Sequence, residues 1–554
     1  MTEENSIPLS YRRYQDGDHT WSDFKDDIFV GDASDKCPTY VHRTPPCQGS
    51  CPSGEDIRGY LQIVRGMERP PEGMAWQAYA FARATDANPF PSMMGRVCPA
   101  PCEDGCNRND VEDFVGINAV EQFIGDTAYK NGYRFAEPPP LTGKRVAIVG
   151  GGPAGLSATY QLRRKGHGST IFETQDQLGG MFRYGIPGYR TPRDVLDAEI
   201  ERILALGDIE VRTGVRVGRD VSIVTLERDF DALLWAIGAQ QGRGLPVPGW
   251  SDTPNCVSGV RFLEAFNGGK LQVTASKVIC VGGGDTSVDV VSVARRLGKI
   301  ENIRAKDRAE RVIGGYAAHD SAMAAAREGA EVTLTALFDR EAMTATETEL
   351  DDALTEGVRV FNGVMPIGQA SVAAQSIDEF FANEIRSRRP RVDVHHFNLL
   401  NKLNEHQLAP TPYDHTQSWG TDAGQFAVHN YEDRAAHEII PSQRLFLGHF
   451  GYESRNQRED RVPTSDEVLG DFDERRLNLS EEQAVAEAKR CMSCGMCFEC
   501  DNCVIFCPQD AVFRVNKDRS TTGRYVDTDY DRCIGCHICA DVCPTGYIDM
   551  GLGK

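Results

Sequence analysis

Cysteine is the residue whose spacing says most about chemistry in this chain. Of its 18 cysteines, six fall from Cys37 to Cys106, ten from Cys491 to Cys543, and only Cys256 and Cys280 lie between those groups. The last group contains Cys497-x2-Cys500-x2-Cys503-x3-Cys507-Pro508 and then Cys533-x2-Cys536-x2-Cys539-x3-Cys543-Pro544. Three cysteines on one tight loop reach three corners of an iron–sulfur cube, and in a duplicated run the fourth cysteine serves the other cube. The spacing assigns Cys497, Cys500, Cys503 and Cys543 to one 4Fe–4S cluster, and Cys533, Cys536, Cys539 and Cys507 to a second. A pair of zinc knuckles would need only two Cys-x2-Cys pairs and leaves the Cys-Pro endings unexplained. Cys491 and Cys494 extend the run upstream. They read first as free thiols beside the clusters, with additional ligation as the alternative.

Two glycine loops carry a second kind of chemistry. Val146-Ala-Ile-Val-Gly150-Gly-Gly152-Pro-Ala-Gly155-Leu reads as a β-strand running through G-x-G-x-x-G into a helix. Such glycines permit a tight turn and bring a pyrophosphate to the helix N-terminus, where free N–H groups and the dipole favour anions. Gly150, Gly152, Pro153, Ala154 and Gly155 are the candidate contacts. Glu173, ending an expected strand over 169–172, is placed for ribose hydroxyls. Val278-Ile-Cys-Val-Gly282-Gly-Gly284-Asp285-Thr286-Ser-Val-Asp289 repeats the arrangement, with Gly282, Gly284, Asp285 and Thr286 as candidates. Two loops point to two dinucleotides, one held as a flavin and one exchanged; for either loop alone, the alternative is a glycine turn in a non-binding domain.

The elements that must position these groups follow from period and punctuation. At 554 residues there is room for three or four domains. Residues 1–35 read as an arm laid on another domain, and 37–133 as helical and cysteine-punctuated, with amphipathic helices over 59–67 and 75–85. Pro138-Pro139-Pro140 marks a linker. The apolar run 230–238 suits a buried strand of a doubly wound sheet. Residues 386–485 read as an extended connector ending in a short helix over 481–490. A net charge of −21 excludes nucleic acid and an anionic membrane surface as partners. No apolar run approaches the length of a membrane span, and the first residues lack an apolar signal core, so a cytoplasmic location is expected. In a reducing compartment, clustered thiols read as metal ligands rather than cystines.

Together with Gly95-Arg-Val-Cys98-Pro-Ala-Pro-Cys102-Glu-x2-Cys106, Gly179-Gly180-x4-Gly185-Ile186-Pro187 and Ala236-Ile-Gly238-Ala239, these motifs resemble a known family. It comprises the small subunit of glutamate synthase and related NAD(P)H-dependent iron–sulfur flavoproteins, the N-terminal part of dihydropyrimidine dehydrogenase among them. The matching pieces run from residue 37 to about 366. The resemblance implies a multidomain α+β and α/β chain. Its parts would be a helical N-terminal domain with two 4Fe–4S clusters (1–140), an FAD-binding domain (141–270, closed by 367–385) and an NAD(P)H-binding domain (271–366). The connector and a bacterial-type ferredoxin module (486–554) complete it, for four clusters in all. Gly180, Ile186 and Gly238 join the implied flavin contacts. No acid or base residue is assigned to catalysis, because hydride exchange needs stacking and orientation.

Carried over position by position, one N-terminal cluster takes Cys51, Cys98, Cys102 and Glu121. The other takes Cys47, Cys106 and two upstream cysteines. Here the chain departs: only Cys37 remains upstream, and His42 stands where the family has cysteine. Imidazole can replace thiolate on iron; otherwise His42 is a surface histidine and that cluster is incomplete or differently ligated. A second departure concerns the nucleotide. Ala336-Leu337-Phe338 replaces the arginines that meet a 2′-phosphate, so NADH is expected over NADPH, although Arg340 could compensate. A third follows Pro366, where the family continues its nucleotide domain and this chain passes directly to what looks like the closing FAD helix.

The run His429-Asn-Tyr431-Glu and Leu447-Gly-His449-Phe, leading to Arg490-Cys-Met-Ser-Cys494-Gly, resembles the branch of the family associated with dissimilatory sulfite reductase. That implies sulfur metabolism, with this reductase as the redox partner. Two readings compete with it: the small subunit of a glutamate-synthase-like complex, and a non-catalytic cluster-bearing scaffold. A homodimer is compatible with any of them.

Overall fold

The structure is a computed structural model that describes residues 36–239, 256–268, 431–459, 474, 476–515 and 525–551, with short pieces between 286 and 378. The arm, the glycines of the second loop and residues 336–340 lie outside the described residues.

The first element departs from the helical expectation. Strand β1 (Cys37–His42) is the centre of a three-stranded sheet, antiparallel to β11 (Ile548–Gly551) and parallel to β8 (Tyr431–Asp433). Cys37 lies opposite Gly551 and His42 opposite Asp433. Strand identity here comes from partners almost a chain length away, which local periodicity does not report. The connector therefore contributes a strand rather than only a covering loop.

Helices follow over Ile57–Val64, Trp76–Ala84, Pro91–Val97 and Ile117–Asn131. Asp56 caps the first, its carboxylate accepting the Gly59 amide at 3.0 Å and pairing with Arg83 at 2.9 Å. The first, second and fourth share a core that includes Leu61, Val64, Phe81, Val120 and Ile124 and also takes Ala484 and Ala488, while Met93 and Met94 of the third pack with the sheet that follows. Those alanines belong to helix Glu481–Lys489, whose start is fixed by a capping box between Ser480 and Gln483. The chain's late segment is thus built into the core of its early one.

Three buried arginines hold this union together. Arg43 donates to Glu438, the Gly546 carbonyl and Asp549 at 2.6–2.7 Å. Arg108 pairs with Glu112 and donates to the carbonyls of Arg490 and Gly451. Arg490 donates to Glu487 and Glu112 and to the carbonyls of Asp113, Phe114 and Glu453. Every charge in these groups has a charged or carbonyl partner, the condition under which burying it is tolerable.

The flavin-domain expectation rests on a parallel sheet of β2 (Arg145–Val149), β3 (Gly168–Phe172), β4 (Ile209–Arg212) and β5 (Ala232–Trp235), in the order β4-β3-β2-β5. Along β2 the side chains alternate between two cores. Val146 and Ile148 face one with Leu156, Leu162 and Leu196; Ala147 and Val149 face the other with Phe172 and Leu226. Ala374 is buried in the first core and Ile377 packs against it, so the segment after the third departure does return to this domain. Of the expected second nucleotide domain, the described residues show one parallel pair, β6 (Thr333–Thr335) with β7 (Arg359–Phe361).

The C-terminal module repeats a small plan. Helices Asn502–Ile505 and Ile538–Asp541 each begin after a left-handed residue, Asp501 and His537, at the same place in the two cysteine runs. A hairpin of β9 (Val512–Arg514) and β10 (Val526–Thr528) lies between them.

Candidate functional site

The glycine loop is shaped by backbone crowding. Gly150 has φ +113°, and a Cβ there would overlap the Ala236 carbonyl. A Cβ at Gly155 would overlap the Gly150 carbonyl oxygen. Helix Pro153–Arg164 starts at Gly152 with no side-chain cap and proline in its first turn, leaving its N-terminal amides for an outside anion. Glu173 accepts from the amides of Gly151 at 2.6 Å and Gln175 at 2.8 Å, and each carboxylate oxygen keeps a further lone pair. An uncapped helix start beside a carboxylate fits the pyrophosphate and ribose of FAD. Gly180 approaches Gly152 closely, so the expected contact at 180 lies beside the loop. Ile186 packs on the flavin-domain core and Gly238 has φ +64° just beyond β5. Of the second-loop run, Thr286 is described as exposed on a helix and Asp289 as buried and paired with Arg190 at 3.0 Å; Gly282, Gly284 and Asp285 lie outside.

In the C-terminal module the thiols fall into two groups. Burial first, and then neighbouring thiols with Cys543 among them, raise the pKa of Cys497, Cys500 and Cys503. Cys539 is raised by burial and then by Cys533, Cys536 and Cys507, and those four line one cavity with Pro38 and Met550. Cys37 lies here too: its thiol hydrogen-bonds Cys533 and draws that group down to about 6. Pairing of β1 with β11 therefore carries Cys37, expected beside Cys47, to the C-terminal array.

The N-terminal array divides as well. Cys51 and Cys98 both feel the carboxyls of Glu55 and Glu121, and Cys102 feels Cys51, which places Cys51, Cys98, Cys102 and Glu121 together. Glu121 accepts from Asn88 Nδ2 at 2.6 Å and hydrogen-bonds Glu55. Burial and this second carboxyl push Glu121 up, and burial raises Glu55 to about 7. Glu55 carried no motif and was missed. Cys98 also packs against the flavin-domain core, so this group lies on the flavin side.

Cys47 and Cys106 line a different cavity, and the thiols that join them there are Cys491 and Cys494. His42 is not among the lining residues. Its ring is 1% exposed, with Nδ1 3.2 Å from Asp433 and Nε2 2.5 Å from Arg58. Burial lowers its pKa, and a neutral ring satisfies both contacts, Nδ1–H donating to the carboxylate and Nε2 accepting from the guanidinium. Both nitrogens of His42, the residue expected as a ligand, are thus engaged with protein partners in this structure.

Burial pushes Cys98, Cys494, Cys497 and Cys500 up to about 12 and Cys106 to about 11. No cystine forms among the described cysteines. Thiols held protonated in an apolar setting become thiolates only against a cation, which is the donor set that iron demands. Among the described residues, no group of His, Cys, Asp or Glu is arranged to hold a single metal ion; a cube spreads its thiolates around a larger body. Among the described residues, no helix is long and apolar enough to cross a membrane.

Three family descriptions match the chain. They are dihydropyrimidine dehydrogenase domain II, 4Fe-4S cluster, over residues 29–133; pyridine nucleotide-disulphide oxidoreductase over 144–375; and 4Fe-4S dicluster domain over 490–547. The glutamate synthase [NADPH] small chain of Mycobacterium tuberculosis is 38% identical over 270 residues, 46% of this chain and 53% of that one. The NADPH-Fe(3+) oxidoreductase subunit beta of Geobacter sulfurreducens is 34% identical over 293 residues, 50% of this chain and 42% of that one. The chain thus spans about half the length of these curated relatives. Mycobacterium tuberculosis FprA in complex with NADPH aligns at 17% identity with a TM-score of 0.26, covering 46% of this chain and 58% of that one, a likeness too slight to bear on function.

Proposed function

We propose that this chain is an NAD(P)H-dependent iron–sulfur flavoprotein oxidoreductase, passing electrons between a nicotinamide dinucleotide and a redox protein partner. The observation that carries the proposal is adjacency. Cys98 packs on the core that bears the uncapped glycine loop, and thiols continue from there to the C-terminal module. FAD, when bound, supplies the conversion between a two-electron hydride step and single-electron steps. The chain's own residues would bind and orient it: the helix start at Pro153 would hold the pyrophosphate and Glu173 the ribose, while the buried thiols would hold the clusters away from water.

The finer reading takes the chain as DsrL-like, with dissimilatory sulfite reductase as partner. The pieces His429-Asn-Tyr431-Glu, Leu447-Gly-His449-Phe and Arg490-Cys-Met-Ser-Cys494-Gly support it, as does the appended cluster module, which speaks against a plain glutamate-synthase small subunit. Exposed Ile505, Phe506 and Ile534 beside the cluster cysteines give this module an apolar face for a protein partner. NADH is proposed as the nucleotide from Ala336-Leu337-Phe338, against relatives whose names carry NADPH.

Anaerobic titration of the purified chain with NADH and with NADPH, followed optically and by EPR, tests the whole. Flavin bleaching followed by cluster signals supports the proposal, and no bleaching by either nucleotide ends it. Tighter response to NADPH ends the nucleotide preference.

A further inference from the structure

The cavity between the early helices and the late chain is lined by Cys47, Cys106, Cys491, Cys494, Arg58 and Asn107, among others. Two of these thiols come from the N-terminal helical region and two from the approach to the C-terminal module. Nothing local links them; they meet because helix Glu481–Lys489 is packed into the early core, which delivers Cys491 and Cys494 just beyond its end.

Arg58 is the second observation, independent of the cysteines. It is 2% exposed, and its Nη1 donates only to the carbonyls of Arg43 at 3.0 Å and Cys494 at 2.6 Å, while Nη2 meets the His42 ring. Its Nε is buried with no hydrogen-bond partner. A buried guanidinium with a spare donor calls for negative charge nearby. Asp56 is the carboxylate that acts on it most strongly but is already paired with Arg83, and four thiolates on a cluster supply the further negative charge. The cavity also presents donors to sulfur of the kind that tune clusters: Asn107 Nδ2 and the Ser493 amide, 3.5 Å from the sulfurs of Cys494 and Cys491 respectively.

We propose that Cys47, Cys106, Cys491 and Cys494 together ligate one 4Fe–4S cluster shared by the two ends of the chain, with Arg58 as its positioning cation. Each cysteine binds as thiolate and releases its proton on insertion. The inference rests on the iron–sulfur reading for the nature of the metal, but the ligand set is independent of flavin or nucleotide. It replaces Cys37 and His42 in the second N-terminal cluster and gives Cys491 and Cys494 a role. Because Cys491-x2-Cys494-x2-Cys497 is one run, ligands of this cluster and of the next sit on a single loop, and the site becomes the link between flavin side and ferredoxin side.

The test uses the full chain, purified anaerobically, with iron, zinc, acid-labile sulfide and FAD measured per chain and EPR recorded after dithionite reduction. The double variant C491A/C494A is expected to lose about four of about sixteen irons, with matching sulfide and one EPR signal, while keeping its FAD. Variants C37A and H42A are expected to keep full iron. Unchanged iron in C491A/C494A, loss of a cluster in H42A, or zinc in place of iron would overturn the proposal. Should the double variant fail to fold, Arg58→Gln serves instead: one cluster midpoint should move to lower potential at full iron content, with R58K restoring most of the shift. No potential moved by Arg58→Gln would count against the site. A chain that shows this iron pattern yet is not reduced by NAD(P)H would sink the proposed function and leave the site standing.

Discussion

The C-terminal thiol array draws its candidate ligands from two compact runs, 497–507 and 533–543, each on its own tight loop. The N-terminal array draws on residues scattered from Cys47 to Glu121, and one of its cavities closes only across the 387 residues that separate Asn107 from Cys494. Both end as groups of buried thiols with raised pKa values. The difference lies in what holds the ligands together: covalent spacing in one, tertiary packing in the other. A site held by packing is only as firm as the buried contacts around it, here chiefly arginines, and can be dismantled from a distance.

That contrast can be broken most forcefully at Arg490. It is 1% exposed and joins Glu487 and Glu112 to three carbonyls. Arg490→Ala takes the guanidinium from the fully buried Glu487, which keeps only amide donors, and leaves Glu112 to Arg108 alone, a change that costs about 3–5 kcal/mol. Anaerobic urea unfolding should show the lower midpoint, and iron should be lost from the shared site before the C-terminal clusters. Equal loss from both arrays would erase the distinction drawn here.

Gly155→Ala separates flavin from metal. The added methyl overlaps the Gly150 carbonyl, so FAD per chain should fall at least about tenfold, a loss of roughly 1.4 kcal/mol or more in binding, while iron and sulfide stay at the wild-type level. Ile505→Asp probes the outward end of the C-terminal array, where Ile505 is 70% exposed. Electron transfer to the protein partner should slow about fivefold, the loss of a contact of about 1 kcal/mol, with NAD(P)H-dependent bleaching of the flavin unchanged.

The smallest effect concerns the joint between the helical region and the flavin domain. Glu199 accepts the amides of Ser92 at 2.8 Å and Met93 at 3.1 Å, and burial raises its carboxyl to about 7. An unfolded glutamate titrates near about 4.3, so the folded chain holds a proton that the unfolded chain has released. The linked stability is complete below about pH 4.3 and is lost as pH rises through about 7. Between pH 5 and 8 the Tm of the wild type should therefore fall by about 2–4 °C more than that of Glu199→Gln, read by thermal unfolding in a pH series.

What could be read beforehand followed the same division. The repeated cysteine run and the first glycine loop declare themselves because their geometry is set within a dozen residues. The helices at 57 and 76 and the strands at 145 and 168 show in the period of their apolar residues. Strand β1 did not, since its partners Ile548–Gly551 and Tyr431–Asp433 lie far along the chain. For the same reason sequence proximity groups Cys37 and His42 with Cys47, whereas the sheet brings one to Cys533 and ties the other to Asp433 and Arg58. Glu55 escaped notice because a buried carboxyl pair leaves no pattern.

Freeze-quenched EPR of the full chain mixed anaerobically with NADH or NADPH tests the central claim most directly. The account predicts reduced-cluster signals that grow in after the flavin bleaches, carried by sites at both ends of the chain. A flavin that bleaches fully while every cluster stays silent would contradict it.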